Sequence, residues 1–150
     1  MDRLGRQLWL THKSVRELLD GALAEHGGSL QTWVLLKSLA AEPNLSHREL
    51  SDRMMVSGPT LTHHLDRLEA DGLLHRTRDL HDRRVVRVDL SPAGKQRATE
   101  LEAVADGLDL WLRSLLGDDD AAQLRRLLLR LNDRLLERDP DLPEGDAHGS

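Results

Sequence analysis

Ser57, Thr60 and Thr62 set three hydroxyls directly ahead of an adjacent imidazole pair, His63 and His64. Hydroxyls and neutral imidazoles both donate and accept hydrogen bonds, which suits phosphate oxygens and base edges. Further along, Arg83-Arg84 follows Asp82, and guanidinium forks fit phosphates and groove acceptors in a way that lysine does not. Arg67 can serve a phosphate or pair with Asp66 or Asp71 on its own helix. His63, His64 and Asp66, or His81 and Asp82, also have the residue types of a metal or acid–base site. Neighbouring histidines on a helix, however, point about 100° apart and do not converge on one ion. We therefore expect no catalytic residue, no metal site and no cofactor. The chain has no Cys, which excludes a disulfide framework, a thiolate zinc site and a thiol redox sensor.

These groups need elements to hold them, and the composition indicates which. The chain has 150 residues, is rich in leucine and contains neither Phe nor Tyr, so its core favours helices over strands. Ser46-His47-Arg48-Glu49 has the pattern of a capping box opening a short helix to Met54. Pro59 then suits the first turn of a helix from about Pro59 to Asp71, with Leu61, Leu65 and Leu68 inward and Gly72 as its stop. Residues 73–78 and 84–90 alternate in the manner of strands and form a hairpin with a basic tip across Asp79-Leu80-His81-Asp82. Ahead of them, residues 30–42 read as one helix, and the first 26 as another with two stripes. Leu4, Leu8, Thr11, Val15, Leu18 and Ala22 are expected to face the core, and Trp9, His12, Arg16, Leu19 and Leu23 form the second stripe. Helices over 92–116 and 118–137 carry further leucine stripes, and residues 139–150 are expected to be a disordered tail.

Short helices followed by a hairpin have the order of a winged helix-turn-helix, with 59–71 as the recognition helix and the hairpin as the wing. Ser57, Thr60, Thr62, His63 and His64 then lie at the end of that helix that meets base edges. The charge distribution fits this placement. The net charge is −5, yet residues 46–90 hold eight Arg and eight Asp or Glu, so the acidity lies outside that segment. No signal segment and no apolar run long enough to cross a bilayer is seen, so a soluble, cytoplasmic protein without membrane contact is expected.

Asp66-Arg67-Leu68-Glu69 followed by Gly72-Leu73, and then Asp79 with Asp82-Arg83-Arg84, Val88, Leu90-Ser91 and Gly94, resemble the signature of the MarR (multiple-antibiotic-resistance regulator) family of bacterial transcription factors. The likeness is close over about residues 30–98, and the helix order extends it to 1–138. It implies a mainly α fold: a winged helix-turn-helix lobe (30–90) with a two-stranded β-wing, plus N- and C-terminal dimerisation helices (1–26 and 92–138). It also implies a homodimer on a pseudo-palindromic double-stranded DNA operator, acting as a ligand-responsive repressor. Arg84 matches the wing arginine that enters the minor groove, and Asp82 the acid that steadies the wing, with Arg83 beside it. Ser57, Thr60 and Thr62 match polar positions that touch phosphates or bases, while His63 stands where arginine is common. Many members bind small aromatic acids or phenols near the first helix. Trp9, His12 and Arg16 share a stripe there and offer a stacking surface, a hydrogen-bonding ring and a carboxylate fork. The alternative is a winged-helix protein-interaction module that does not bind DNA, for which the net acidity and the uncharged His63-His64 pair speak.

Overall fold

A computed structural model describes residues 3–137. The 139–150 tail expected from composition lies outside the described residues. The chain divides into two compact units at Leu108/Asp109. The elements run α1 (Leu4–Glu25), α2 (Leu30–Ala41), β1 (Leu45–Ser46), α3 (His47–Met54), α4 (Gly58–Ala70), β2 (Leu74–Arg78), β3 (Val86–Leu90), α5 (Pro92–Leu116) and α6 (Asp118–Leu136). No described helix is long and apolar enough to cross a membrane.

Local signals set the boundaries of the lobe elements. Ser29 accepts the Thr32 amide and starts α2. Ser46 and Glu49 form the capping box of α3 reciprocally, with Ser46 Oγ accepting the Glu49 amide at 3.2 Å and Glu49 Oε2 the Ser46 amide at 2.7 Å. Ser57 caps α4, Pro59 occupies its first turn, and Gly72 follows at φ +72°. Met55, at φ +54° and almost fully exposed, makes the turn between α3 and α4 in the left-handed region.

The sheet has three strands in the order β1-β3-β2, all antiparallel. The sequence pattern anticipates the β2–β3 hairpin but not β1, whose two residues pair as Leu45↔Val88 and Ser46↔Arg87. Two residues carry no alternation to detect; β1 exists because the open edge of β3 presents backbone groups that need partners. Leu35, Leu36 and Leu39 of α2, Leu50 of α3, and Leu61, Leu65 and Leu68 of α4 pack with Leu45, Leu74, Val88 and Leu90 of the sheet into one core, closed by Leu23 of α1 and Leu101 of α5.

The α1 expectation needs correcting. Leu4, Thr11 and Leu18 of the expected core stripe are exposed and Leu8, Val15 and Ala22 are half-buried, whereas from the second stripe Leu23 is fully buried and Leu19 packs against the core. Only the last turns of α1 reach the lobe. There Gly28 N bonds Leu23 O, Leu30 N bonds Asp20 Oδ1, and the tight Gly27-Gly28 turn folds α2 back toward Leu19 and Leu23, the last two residues of the second stripe. In the other unit, α6 has no buried residue, and Leu124, Leu127, Leu128 and Leu135 stand open.

Candidate nucleic-acid interface

The wing tip folds around Asp79. Its Oδ1 accepts the amides of His81 (2.8 Å) and Asp82 (3.1 Å), and its Oδ2 accepts Arg87 Nε (2.9 Å). The His81 amide, then the Arg87 guanidinium and the Asp82 amide, hold the Asp79 carboxyl at a pKa of about 2. The loop closes with Asp79 N on Val85 O and Val85 N on Asp82 O. Asp82 in turn grips Arg84, accepting its backbone amide at 3.0 Å and its Nε at 3.2 Å on Oδ1, and Nη2 at 3.3 Å on Oδ2. Arg84 nonetheless keeps 92% of its side-chain surface exposed. The result is a guanidinium with a fixed direction and a free outer edge. Arg83 is exposed, and its backbone carbonyl accepts Arg78 Nη1.

At α4, the expected recognition helix, the contacts divide. Ser57 and Thr60 are exposed, and their hydroxyls share a 2.8 Å bond at the cap. Thr62 Oγ1 donates to Gly58 O at 3.0 Å and meets His47 Nε2 at 3.0 Å, so the imidazole N–H donates to it. His47, not singled out from the sequence, thus braces α3 against the first turns of α4. His63 is exposed and His64 half-buried, their rings 6.2 Å apart. Burial, then the charges of Arg67 and His63, lowers the His64 pKa below the ordinary histidine value, which favours the neutral ring. Arg67 pairs with neither Asp66 nor Asp71; its Nη2 donates to the buried Thr32 hydroxyl at 3.2 Å. Asp66 instead joins Glu69 in holding Arg76 of β2, at 2.7 and 2.5 Å. Hydrogen bonds from Arg76 lower the Glu69 pKa and raise that of Arg76.

Asp79 and Arg87 are residues that the sequence left unassigned. Asp79 was legible only as part of a turn, although an Asp that begins a tight loop is a known acceptor of the amides two and three residues on. Arg87 had no sequence signal, since its partners Asp79 and Glu49 come from two other elements.

The proposed effector stripe is separate from these residues. Trp9, His12 and Arg16 are exposed on α1, and Lys13 stands 5.9 Å from the Trp9 ring while pairing with Glu17. The three do not line the open cavity of about 470 Å³ between α2 and α5. That cavity is bounded by Ala40, Ala41, Ala98 and Ala103, with Asp106 and the Lys37–Glu102 pair (2.6 Å) as its charged lining. Trp33 Nε1 also donates to Glu102, at 2.8 Å.

Residues 29–86 match the sequence model of the MarR family. Among curated proteins, the homoprotocatechuate degradative operon repressors of Escherichia coli and Shigella flexneri are each 31% identical over 70 residues, 47% of this chain and 47% of theirs. The match therefore spans about half the length of these relatives. Among solved structures, apo wild-type MarR of Escherichia coli superposes with a TM-score of 0.77 at 26% identity, covering 87% of this chain and 98% of that one. A MarR mutant of Escherichia coli complexed with operator DNA gives 0.76 at 26% identity, covering 85% and 92%. The Staphylococcus aureus MepR–DNA complex shares the fold at 0.77 with 19% identity, covering 90% and 99%.

Proposed function

We propose, from the premise that the winged lobe of this chain belongs to the MarR family, whose members are transcription regulators and not enzymes, that the protein is a homodimeric DNA-binding repressor responsive to a small aromatic acid or phenol. The observation that carries the DNA reading is the wing. A guanidinium held by Asp82 and open to solvent stands beyond a capped recognition helix, as minor-groove insertion beside major-groove docking requires. Operator DNA in the complex of a relative, and the name of the repressor relatives, support the same reading. In this assignment Arg84 enters the minor groove with Arg83 beside it and Asp82 as its support. Ser57, Thr60, His63 and His64 meet backbone and base edges. Thr62 and Arg67, already engaged with His47 and Thr32, contribute through placement of the helix or by exchanging partners on the DNA.

Dimerisation is supported by the apolar surface left open. Leu110, Trp111, Leu115 and Leu116 on α5, and Leu124, Leu127, Leu128, Leu129, Leu135 and Leu136 on α6, are each more than two-fifths exposed, an accumulation of open large apolar side chains that marks an interaction surface. Two lobes of a symmetric dimer would read half-sites about one helical turn, roughly 10 bp, apart. Trp9, His12 and Arg16 support an aromatic acid as effector. All three are exposed, and Arg16 makes no ion pair among the described residues.

The test is titration and footprinting of the intergenic DNA beside the gene, with wild type and Arg84→Ala, with and without hydroxybenzoates. Wild type should protect two half-sites and release them when the acid is added. Arg84→Ala should bind about tenfold or more weakly while sedimenting as a dimer. Unchanged affinity of Arg84→Ala would overturn the wing assignment, and failure of any hydroxybenzoate to release DNA would overturn the effector class.

A further inference from the structure

Beyond Val86 the wing is a bare two-stranded hairpin. β1 supports β3 only at Arg87 and Val88, and the rungs nearer the tip, Val86↔Arg78 and the loop 79–85, have no third strand. A hairpin of that kind is marginal by itself and swings about its base. Arg87 sits on the last supported rung, and its guanidinium reaches two ways. Nε donates to Asp79 Oδ2 at 2.9 Å, on the wing-tip loop. Nη1 lies 3.5 Å from Glu49 Oε2 and 3.5 Å from the Asn44 carbonyl, at the N-terminal cap of α3. Arg87 is 30% and Asp79 17% exposed in the side chain, so the inner bond is substantially shielded from water.

The contacts on either side extend this bridge into a continuous chain. Asp79 holds the amide of Asp82, and Asp82 holds Arg84. In the other direction, Glu49 closes the capping box of α3, and His47 of the same turn bonds Thr62 of the recognition helix. One guanidinium thus joins the element that would enter the minor groove to the elements that would enter the major groove. We propose that Arg87 is a positioning residue that sets the pitch of the wing against the helix-turn-helix, so that Arg84 and α4 engage adjacent grooves together. The inference rests on the DNA-binding reading above. It gives Arg87 no contact with DNA, and it uses two edges of the planar fork, Nε toward Asp79 and Nη1 toward Glu49.

A double-mutant cycle on operator affinity tests this, using the full-length protein and fixed salt, with Arg87→Met and Arg84→Ala singly and combined. If Arg87 acts through the position of Arg84, Arg84→Ala should cost about tenfold in the wild type but less than about threefold when Arg87 is Met. Thermal unfolding identifies any variant that fails to fold. For that case Glu49→Gln is the second probe, because Gln preserves a capping box while removing the charge that faces Arg87. It should likewise shrink the Arg84→Ala effect. Equal Arg84→Ala losses in all backgrounds would overturn the proposal and leave the DNA reading standing. No Arg84→Ala loss even in the wild type would overturn the wing assignment and the proposal with it, and no operator binding by the wild type would overturn the DNA reading.

Discussion

Gly94→Ala places one methyl group where the structure has no room for it. A Cβ built on Gly94 lies 1.8 Å from Leu73 O, 2.9 Å from Leu73 C and 3.3 Å from Leu90 Cδ2. An ordinary carbon–oxygen contact is about 3.3 Å, so the first turn of α5 must withdraw from β2 by roughly 1.5 Å. That movement strains two hydrogen bonds that seat the turn, Ser91 N to Leu73 O at 3.0 Å and Ser91 Oγ to Gly72 O at 2.6 Å, each worth about 1 kcal/mol net. It also disturbs the packing of Leu74 and Leu90 behind them, at an overpacking cost of about 1–3 kcal/mol. Alanine recovers up to about 1 kcal/mol of helix propensity. The net loss is therefore about 2–4 kcal/mol, a large part of the roughly 5–15 kcal/mol typical of a folded domain. Urea unfolding followed by tryptophan fluorescence should show it, with a thermal midpoint lower by roughly 10 °C. Gly107→Ala is the control on the same helix, since nothing lies within 4 Å of its built Cβ. Gly94→Ala as stable as wild type would refute the close-approach argument.

Two further perturbations address the wing and the exposed leucines. Because the folded Asp79 carboxyl titrates at about 2, below the ordinary value of 3.8, its contribution is complete above about pH 4 and is lost as pH falls toward 2. Carboxyl NMR should find that low midpoint, with exchange of the His81 and Asp82 amides accelerating over the same range, and a midpoint near 3.8 would show that the Asp79 turn is not formed in solution. Leu128→Asp on the open face of α6 should convert a dimer to monomer in sedimentation experiments. Symmetry removes two leucines per interface, about 3–6 kcal/mol of apolar burial before the added charges are counted. A variant that stays dimeric would exclude that face from the interface.

The elements of the lobe were legible because their signals are local. The capping pair Ser46 and Glu49, Pro59 at the start of α4, Gly72 after it, and the alternation of residues 84–90 each act within a few residues of chain, and the structure has each element close to the expected bounds. The α1 stripe was misread because two apolar stripes on one helix are equivalent in sequence; the Gly27-Gly28 turn chooses between them by aiming α2 at Leu19 and Leu23. Arg84 and Asp82 were legible as a pair, being two residues apart on one loop.

Sequence alone determined the order of helices and strands, the neutral charge of residues 46–90 and the polar first turns of α4. Tertiary structure decided which arginine does what. Eight guanidiniums and eight carboxylates in that segment are nearly interchangeable as symbols, and charge attraction depends on distance rather than on sequence separation. Folding gave Arg76 to Asp66 and Glu69, Arg67 to Thr32, and Arg87 to Asp79 and Glu49, and it left Arg84 outermost. Gly94 shows the same division: its place in the motif can be read from the chain, but its necessity comes from the carbonyl of Leu73, which only the fold brings against it.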